Sequence, residues 1–498
     1  METFKFSKIF EHLLYNPEDP LLFNSAFFLF FLLAFLFLFL KFHQDKQKRV
    51  LLFTAFSLYF FYKACGYYVA LVLISAVVDF NISRWIYEQK DAFKKKLLLV
   101  FSIVINLALL FYFKYTDFFI GILNDYQLGE FEPLNLILPI GISFYTFENI
   151  SYTVDVYRGH FKPINSFMDY VFFLSFFPKL IMGPIVRAAD FIPQISKEYK
   201  LTNEALGKGF YLIIAGLFKK VVISDYIYVN FVQYIFDDPS KHIGLECWLA
   251  VYGYALVIYC DFSGYSDMAI GIGKWMGFDI NINFLSPYQS ASITEFWRRW
   301  HISLSSWLRD YLYIPLGGNK HGKIRQNINL AITMLIGGFW HGANWTFIFW
   351  GALHGFALGF DKIRMYVTEQ ILGERIENPT TKKMMHVLGV LFTFHFVCFT
   401  WIFFKASSFS DALVILDQIW NNFQGAAWPD LYATYKSVLL VMLMGFGLHF
   451  ISLKKEEEFS QRFIGLPNFT YAMILVVFIL LLAQVKTAEQ VMPIYLQF

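Results

Sequence analysis

Charge is scarce in this chain. Only 16% of its 498 residues are Asp, Glu, Lys or Arg, against about a quarter in a soluble domain. The formal net charge of +3 excludes the clustered basic surface that nucleic acid requires, so no nucleic-acid partner is expected. Cysteine is rarer still. The four residues Cys65, Cys247, Cys260 and Cys398 lie far apart, with no Cys-x-x-Cys or Cys/His ligand spacing, which argues against a disulfide framework and against a metal site. No glycine-rich phosphate loop and no G-x-S-x-G elbow is found. The first apolar run starts at Leu21 without a basic leader or a small-residue cleavage site, which excludes a cleavable signal peptide.

Apolar and aromatic residues fill the space that charge leaves. They make up 57% and 21% of the chain, and the mean hydropathy is +0.48. A soluble fold of this length buries only about three quarters of its surface, so lipid is the natural solvent for the rest. Leu21–Leu40 alone is long enough to cross a hydrocarbon core of about 30 Å. Further spans are expected near 50–62, 67–86, 97–113, 136–154, 170–185, 209–228, 249–276, 330–340, 345–360, 387–404, 437–451 and 471–482; several are short or broken, so about eleven transmembrane helices are expected in all, with interfacial and re-entrant helices beside them. The expected fold is an all-α, polytopic integral membrane protein. Short basic loops stay cytoplasmic. Lys41–Arg49 and Lys90–Lys96 are basic, whereas Thr116–Leu134 carries four acidic residues and neither Lys nor Arg. All three agree with one orientation, in which the N-terminus is extracytoplasmic. Lys179, Lys219, Lys220 and Arg187 read as span-end residues that snorkel toward the interface.

Several spans are short or broken by Gly and Pro: Leu138–Phe144, Pro178–Pro184 and Ile336–Gly342. Irregular backbone at membrane depth survives only inside protein or beside water, so these breaks point to an interior cavity. Three segments there carry polar chemistry. Ser292–Leu316, laid on one continuous helix, gathers Trp297, Trp300, Leu304, Trp307, Leu308 and Tyr311 within a third of its circumference. Arg298, Ser305 and Arg309 fall on an adjacent arc, with His301 on the border. That is the pattern of an interfacial helix, started by a Ser292/Glu295 capping box. In Ile336–Gly355, His341 sits amid apolar residues, and ionisable groups in such places face the protein interior. Asn344, three residues on, would share its face and orient the ring. His354, thirteen residues on, should not share it unless the helix breaks. In Ile258–Phe278, Asp261, Ser263, Tyr265 and Asp267 either bind a polar substrate or hold helices together, the second being the commoner role.

Phe296–Lys320 together with Gly337–Gly355 closely resembles the membrane-bound O-acyltransferase (MBOAT) family, and within it the alginate-acetylating branch. Ile142–Gly159, Phe176–Ile195 and Asp261–Phe278 carry the same resemblance. It covers residues 50–362 well and the C-terminal helices 383–498 weakly, within one membrane-embedded domain spanning 1–498. The resemblance implies helices around a funnel or tunnel, with His341 as the catalytic histidine and His301 as the second active-site histidine. Asn344, Trp300, Arg298, Ser305 and Asp261 are the expected substrate- or tunnel-lining residues. It implies an acyl donor, acetyl-CoA, reached from the cytoplasm, with no bound cofactor. It also implies an extracytoplasmic or periplasmic acetyltransferase partner that completes transfer to a cell-surface polysaccharide, and residence in the inner or plasma membrane. A neutral imidazole at position 341 would take the proton of an attacking hydroxyl. Another branch of the family transfers D-alanine to teichoic acid and shares the FW-xx-WH pattern, so D-alanyl transfer is the alternative. A transporter or flippase would show inverted repeats, and none is evident.

Overall fold

The computed structural model describes residues 13–17, 20–23, 25–372, 378–485 and 491–494. Among them every regular element is a helix. Six helical stretches are long and apolar enough to cross a membrane: Lys46–Glu88, Ala92–Lys114, Gly244–Trp275, Pro379–Lys405, Gly425–His449 and Asn468–Val485. Phe27–Phe42 is a shorter apolar helix. The protein is thus a multi-pass helical membrane protein, as its composition requires. The remaining expected spans fall on other helices, some of them shorter or interrupted and two, Gly322–His341 and Trp345–Leu372, of 20 and 28 residues.

The chain packs as two compact units, Met1–Gly209 with Met268–Asn281, and Phe210–Asp267 with Ile282–Phe498. The first unit opens with α1 (Ala26–Phe42), whose N-terminus is capped by Ser25 Oγ accepting from the Phe28 N–H. It continues through α2 (Lys46–Cys65), α3 (Val69–Glu88), α4 (Ala92–Lys114), α5 (Thr116–Asp125), α6 (Ile142–Arg158), α7 (Phe167–Ser175), α8 (Phe177–Leu180), α9 (Ala188–Ile195) and the start of α10 (Asn203–Leu217), which passes into the second unit after Gly209. The α2–α3 junction lies at Gly66, φ 63°, a conformation that costs glycine little.

Helix α4 shows how lipid inverts ordinary amphipathicity. It buries Ser102, Asn106 and Leu110 and exposes Leu97, Val100, Phe101, Val104 and Phe111. The buried polar groups are satisfied across helices. Asp79 on α3 accepts from Ser102 Oγ (2.5 Å) and Asn106 Nδ2 (2.7 Å). Asn149 on α6 donates to Asn106 Oδ1 (3.2 Å), and Tyr170 on α7 donates to Asn149 Oδ1 (2.7 Å). Apolar contact gives no net advantage between helices in lipid, so such bonds and close packing hold them together.

Two of the expected breaks lie in this unit. Gly141, φ 78°, precedes α6, and a Cβ there would stand 2.5 Å from the Leu180 carbonyl oxygen. Lys179 on α8 is not a snorkelling residue. Its side chain is fully buried and ion-paired with Glu148 of α6, whose second oxygen accepts from the Val186 N–H (3.2 Å). Lys220 in the second unit corrects the same expectation. It is buried against Asp225 (2.7 Å) and Asp261 (2.6 Å). Both lysines are buried in protein and ion-paired where they stand, as buried charges must be.

The second unit contains most of α11 (Gly244–Trp275), then α12 (Ile293–Arg299), α13 (Ile302–Leu308), α14 (Gly322–His341), α15 (Trp345–Leu372), α16 (Pro379–Lys405), α17 (Phe409–Asn421), α18 (Trp428–His449), α19 (Leu453–Gln461) and α20 (Asn468–Val485). Wide π-helical turns occupy Phe218–Asp225, Tyr228–Val232 and Arg309–Tyr313. The core of this unit mixes aliphatic and aromatic residues, the latter including Tyr254, Tyr288, Phe296, Trp300, Trp350, Trp401 and Phe404.

Candidate active site

Ser292–Leu316 is not one helix. Ser292 Oγ accepts from the Glu295 N–H (3.1 Å) and starts α12 as expected, while the Glu295 carboxylate reaches back to the Ala291 N–H (2.8 Å). The helix ends at Arg299. Trp300 is extended, and His301 adopts φ 43°, ψ 56° before α13 begins. Left-handed backbone is strained for a residue with a side chain, so partners must hold it. Asn283 supplies them. Its carbonyl accepts from the Ile302 N–H (3.0 Å), and its Oδ1 accepts from the N–H and Oγ of Ser303 (3.1 and 2.9 Å). The break turns His301 from a helix border into the interior, where it is 0% exposed. Its ring lies edge-to-face with Phe262 at 4.6 Å.

His341 is the last residue of α14. Gly342 is extended at φ −166° and interrupts the run before α15 starts. The imidazole is 4% exposed, packed against Trp340 (5.0 Å between centroids), Trp350 (5.1 Å, interplanar 88°) and Phe404 (5.1 Å). The other face of the arrangement is His301, 6.3 Å from the same Trp340 ring. Two imidazoles forty residues apart in sequence therefore flank one indole, each placed by a helix break. The α14–α15 crossing that carries His341 is close. Gly338 meets the Phe347 carbonyl and Gly351, and Gly351 in turn lies against the Met334 carbonyl. A side chain on either would push the helices apart.

The interruption at Gly342 also brings in His354, the case in which the sequence allowed the two histidines to converge. His354 is 0% exposed and lies 4.7 Å from the Trp350 ring. Its Nδ1 accepts from Trp297 Nε1 (3.3 Å), and its Nε2 faces Thr400 Oγ1 (3.1 Å). An indole nitrogen can only donate, so the His354 proton resides on Nε2.

The residues expected to line the site are placed differently. Asn344 caps α15: its Oδ1 accepts from the Thr346 N–H (3.0 Å) and its Nδ2 donates to the Ser407 carbonyl (3.2 Å). Both ends of its amide are engaged away from His341, because the helix that would have aligned the two residues stops between them. Trp300 is a core residue, 1% exposed and stacked on Phe296 at 5.5 Å. Ser305 closes the turn, its Oγ donating to the Trp300 carbonyl (3.2 Å). Arg298 is exposed. Asp261 is paired with Lys220, and its second oxygen accepts from the Ile494 N–H (2.8 Å). Asp261 therefore holds helices and the C-terminal segment together. Trp340, Trp350 and His354 are the neighbours that a sequence reading missed. The indoles look like generic membrane aromatics, and only the breaks at 301 and 342 bring them to the imidazoles.

The fold and these residues together describe a multi-pass helical membrane protein with buried imidazoles set at helix breaks. The model of MBOAT, the membrane-bound O-acyltransferase family, matches residues 156–409, a region that contains His301, His341 and His354. The chain belongs to this family and is a membrane-bound acyltransferase. It is 37% identical to a peptidoglycan O-acetyltransferase of Helicobacter pylori over 80% of this chain and 79% of that protein. It is 39% identical to a probable alginate O-acetylase of Azotobacter vinelandii over 81% of this chain and 77% of that protein. A teichoic acid D-alanyltransferase of Bacillus subtilis is 29% identical over 56% of this chain and 71% of its own length.

Proposed function

We propose that this enzyme passes an acetyl group from a cytoplasmic thioester, acetyl-CoA, across the membrane toward hydroxyls of a cell-surface polysaccharide, and that His341 is the general base. The observation that carries the reading is His341 itself. It ends a helix inside the protein, beside a second buried imidazole and within the family-matched region. The relatives named as O-acetyltransferases, at 37–39% identity over about 80% of the chain, support acetyl over D-alanyl.

The acceptor hydroxyl oxygen attacks the acyl carbonyl carbon and gives its proton to His341. The tetrahedral intermediate then collapses, the C–S bond breaks, and the departing thiolate takes that proton. A positioned base of this kind contributes roughly 10²–10⁴-fold. His301 sits close enough to orient the acceptor or steady the developing charge. The basic loops support a donor side at Lys41–Arg49 and an N-terminus outside, and the reading takes the membrane to be the inner or plasma membrane. The final acceptor is reached through an extracytoplasmic acetyltransferase partner, as the family resemblance implies.

The test is His341→Ala, with the O-acyl content of the surface polymer measured at matched protein abundance. Loss of the ester supports the assignment, and an unchanged content overturns it. Mass spectrometry of the released group separates acetyl from D-alanyl, the alternative that the 29% identical relative raises.

A further inference from the structure

We infer that Trp350 is a further catalytic residue, whose indole N–H receives the acyl carbonyl oxygen as that oxygen gains charge. The inference rests on acyl transfer at His341. Trp350 is 1% exposed on α15, and its Nε1 is buried with no hydrogen-bond partner among the described residues. Buried polar groups are paired in the great majority of cases, and an unpaired donor costs free energy.

The surroundings explain why no described residue takes this hydrogen. Phe404 (5.2 Å between centroids) and Trp401 (5.9 Å, interplanar 16°) offer ring carbon. His354 lies against the ring, but both its nitrogens are committed, one accepting from Trp297 and the other facing Thr400. The Thr400 hydroxyl donates onward to the Val397 carbonyl (2.8 Å). That directed chain fixes His354, and with the Trp401 stack it leaves Trp350 little freedom to turn. The indole is also next to His341. A rigid, desolvated donor beside the base has the properties of an oxyanion-stabilising group.

In the reaction, the hydroxyl oxygen forms its bond to the carbonyl carbon, the carbonyl π pair moves to oxygen, and the hydroxyl proton goes to His341. Trp350 keeps its own proton and hydrogen-bonds to the new oxyanion. When the C=O bond re-forms, the C–S bond breaks and the thiolate accepts the proton from His341. The donor interaction strengthens only in the transition state, so its removal lowers kcat more than it raises KM.

The experiment uses the full-length protein in membrane vesicles with labelled acetyl-CoA, following label transferred to the endogenous acceptor. Trp350→Phe keeps an aromatic ring and removes the N–H. Replacement by 3-benzothienylalanine, in which sulfur stands in the place of the N–H, preserves the indole shape if Phe disturbs packing. Both should lower the saturating rate roughly 10²–10³-fold and leave the acetyl-CoA concentration at half-maximal rate within about threefold, and the shape-preserving benzothienyl variant should leave the melting temperature unchanged or higher, since a buried unpaired donor has been removed. A benzothienyl variant with the wild-type rate overturns the inference, as does one that changes only the half-maximal concentration. If His341→Ala abolishes transfer while the benzothienyl variant is fully active, this inference alone falls. If His341→Ala is active, the underlying reading falls first.

Discussion

The α14–α15 crossing gives the sharpest quantitative prediction. A Cβ placed on Gly338 would stand 2.4 Å from the Phe347 carbonyl oxygen, 3.0 Å from the Gly351 Cα and 3.1 Å from the Gly351 nitrogen. Backbone atoms cannot swing aside as the end of a side chain can. Ordinary contact begins near 3.4 Å, so Gly338→Ala must part the helices by about 1 Å, at an overpacking cost of about 1–3 kcal/mol. His341 lies three residues on, within the same helical turn. A misplacement of about 1 Å can cost about 10²-fold in rate, so Gly338→Ala should lose about two orders of magnitude of acyl transfer while still accumulating in the membrane. Gly337→Ala is the matched control. Its Cβ would meet only Leu308 Cδ1, at 3.3 Å, a flexible methyl, and activity should stay within about threefold of wild type. The assay is initial-rate transfer from labelled acetyl-CoA in vesicles, normalised to protein by immunoblot. A Gly338→Ala enzyme with wild-type rate and abundance would refute the claim that this contact sets the position of His341.

Two further outcomes follow from the buried geometry. Replacing His301 removes the imidazole whichever residue is chosen, but the backbone distinguishes the replacements: Asn tolerates the left-handed region, whereas β-branched Val does not. His301→Val should therefore melt below His301→Asn in detergent by the equivalent of about 1–2 kcal/mol, and equal melting temperatures would show that the turn at φ 43° is not a constraint. Lys179→Met should destabilise the first unit by about 3–5 kcal/mol, because it strands Glu148 as an unpaired buried charge. Adding Glu148→Met should recover most of that loss, and a double variant no more stable than the single one would contradict it.

Much of the fold could be read from the chain because lipid imposes a one-dimensional rule: apolar runs of sufficient length become helices. The runs at 50–62 and 67–86 became α2 and α3, and the break predicted at Ile336–Gly342 appears as the extended Gly342. What escaped depended on distant partners. The periodicity of Ser292–Leu316 continues through Trp300 and His301, so nothing local announces the turn. It exists because Asn283 satisfies the backbone and side-chain groups of Ile302 and Ser303. The expected alignment of Asn344 with His341 failed for the related reason that the helix ends between them. Lys179 looked like an interfacial anchor because its counter-charge, Glu148, lies 31 residues away, and of the two carboxylates that hold Lys220 the nearer in sequence, Asp225, was missed while Asp261 lies 41 residues away. His301 and His341 were legible as polar exceptions in apolar sequence, whereas Trp340 and Trp350 were camouflaged by the many aromatics around them.

The bond from the Ile494 N–H to Asp261 spans 233 residues, and Lys220 donates to the Val491 carbonyl as well (3.4 Å). Synthesis proceeds from the N-terminus, so Lys220, Asp225 and Asp261 enter the membrane long before their last partners have been translated. Until then that charged knot is incomplete in the middle of the protein. Completion of that cluster consequently waits for residues 491–494, and a nonsense mutation upstream of Val491 would injure the interior of the second unit rather than merely shorten a tail.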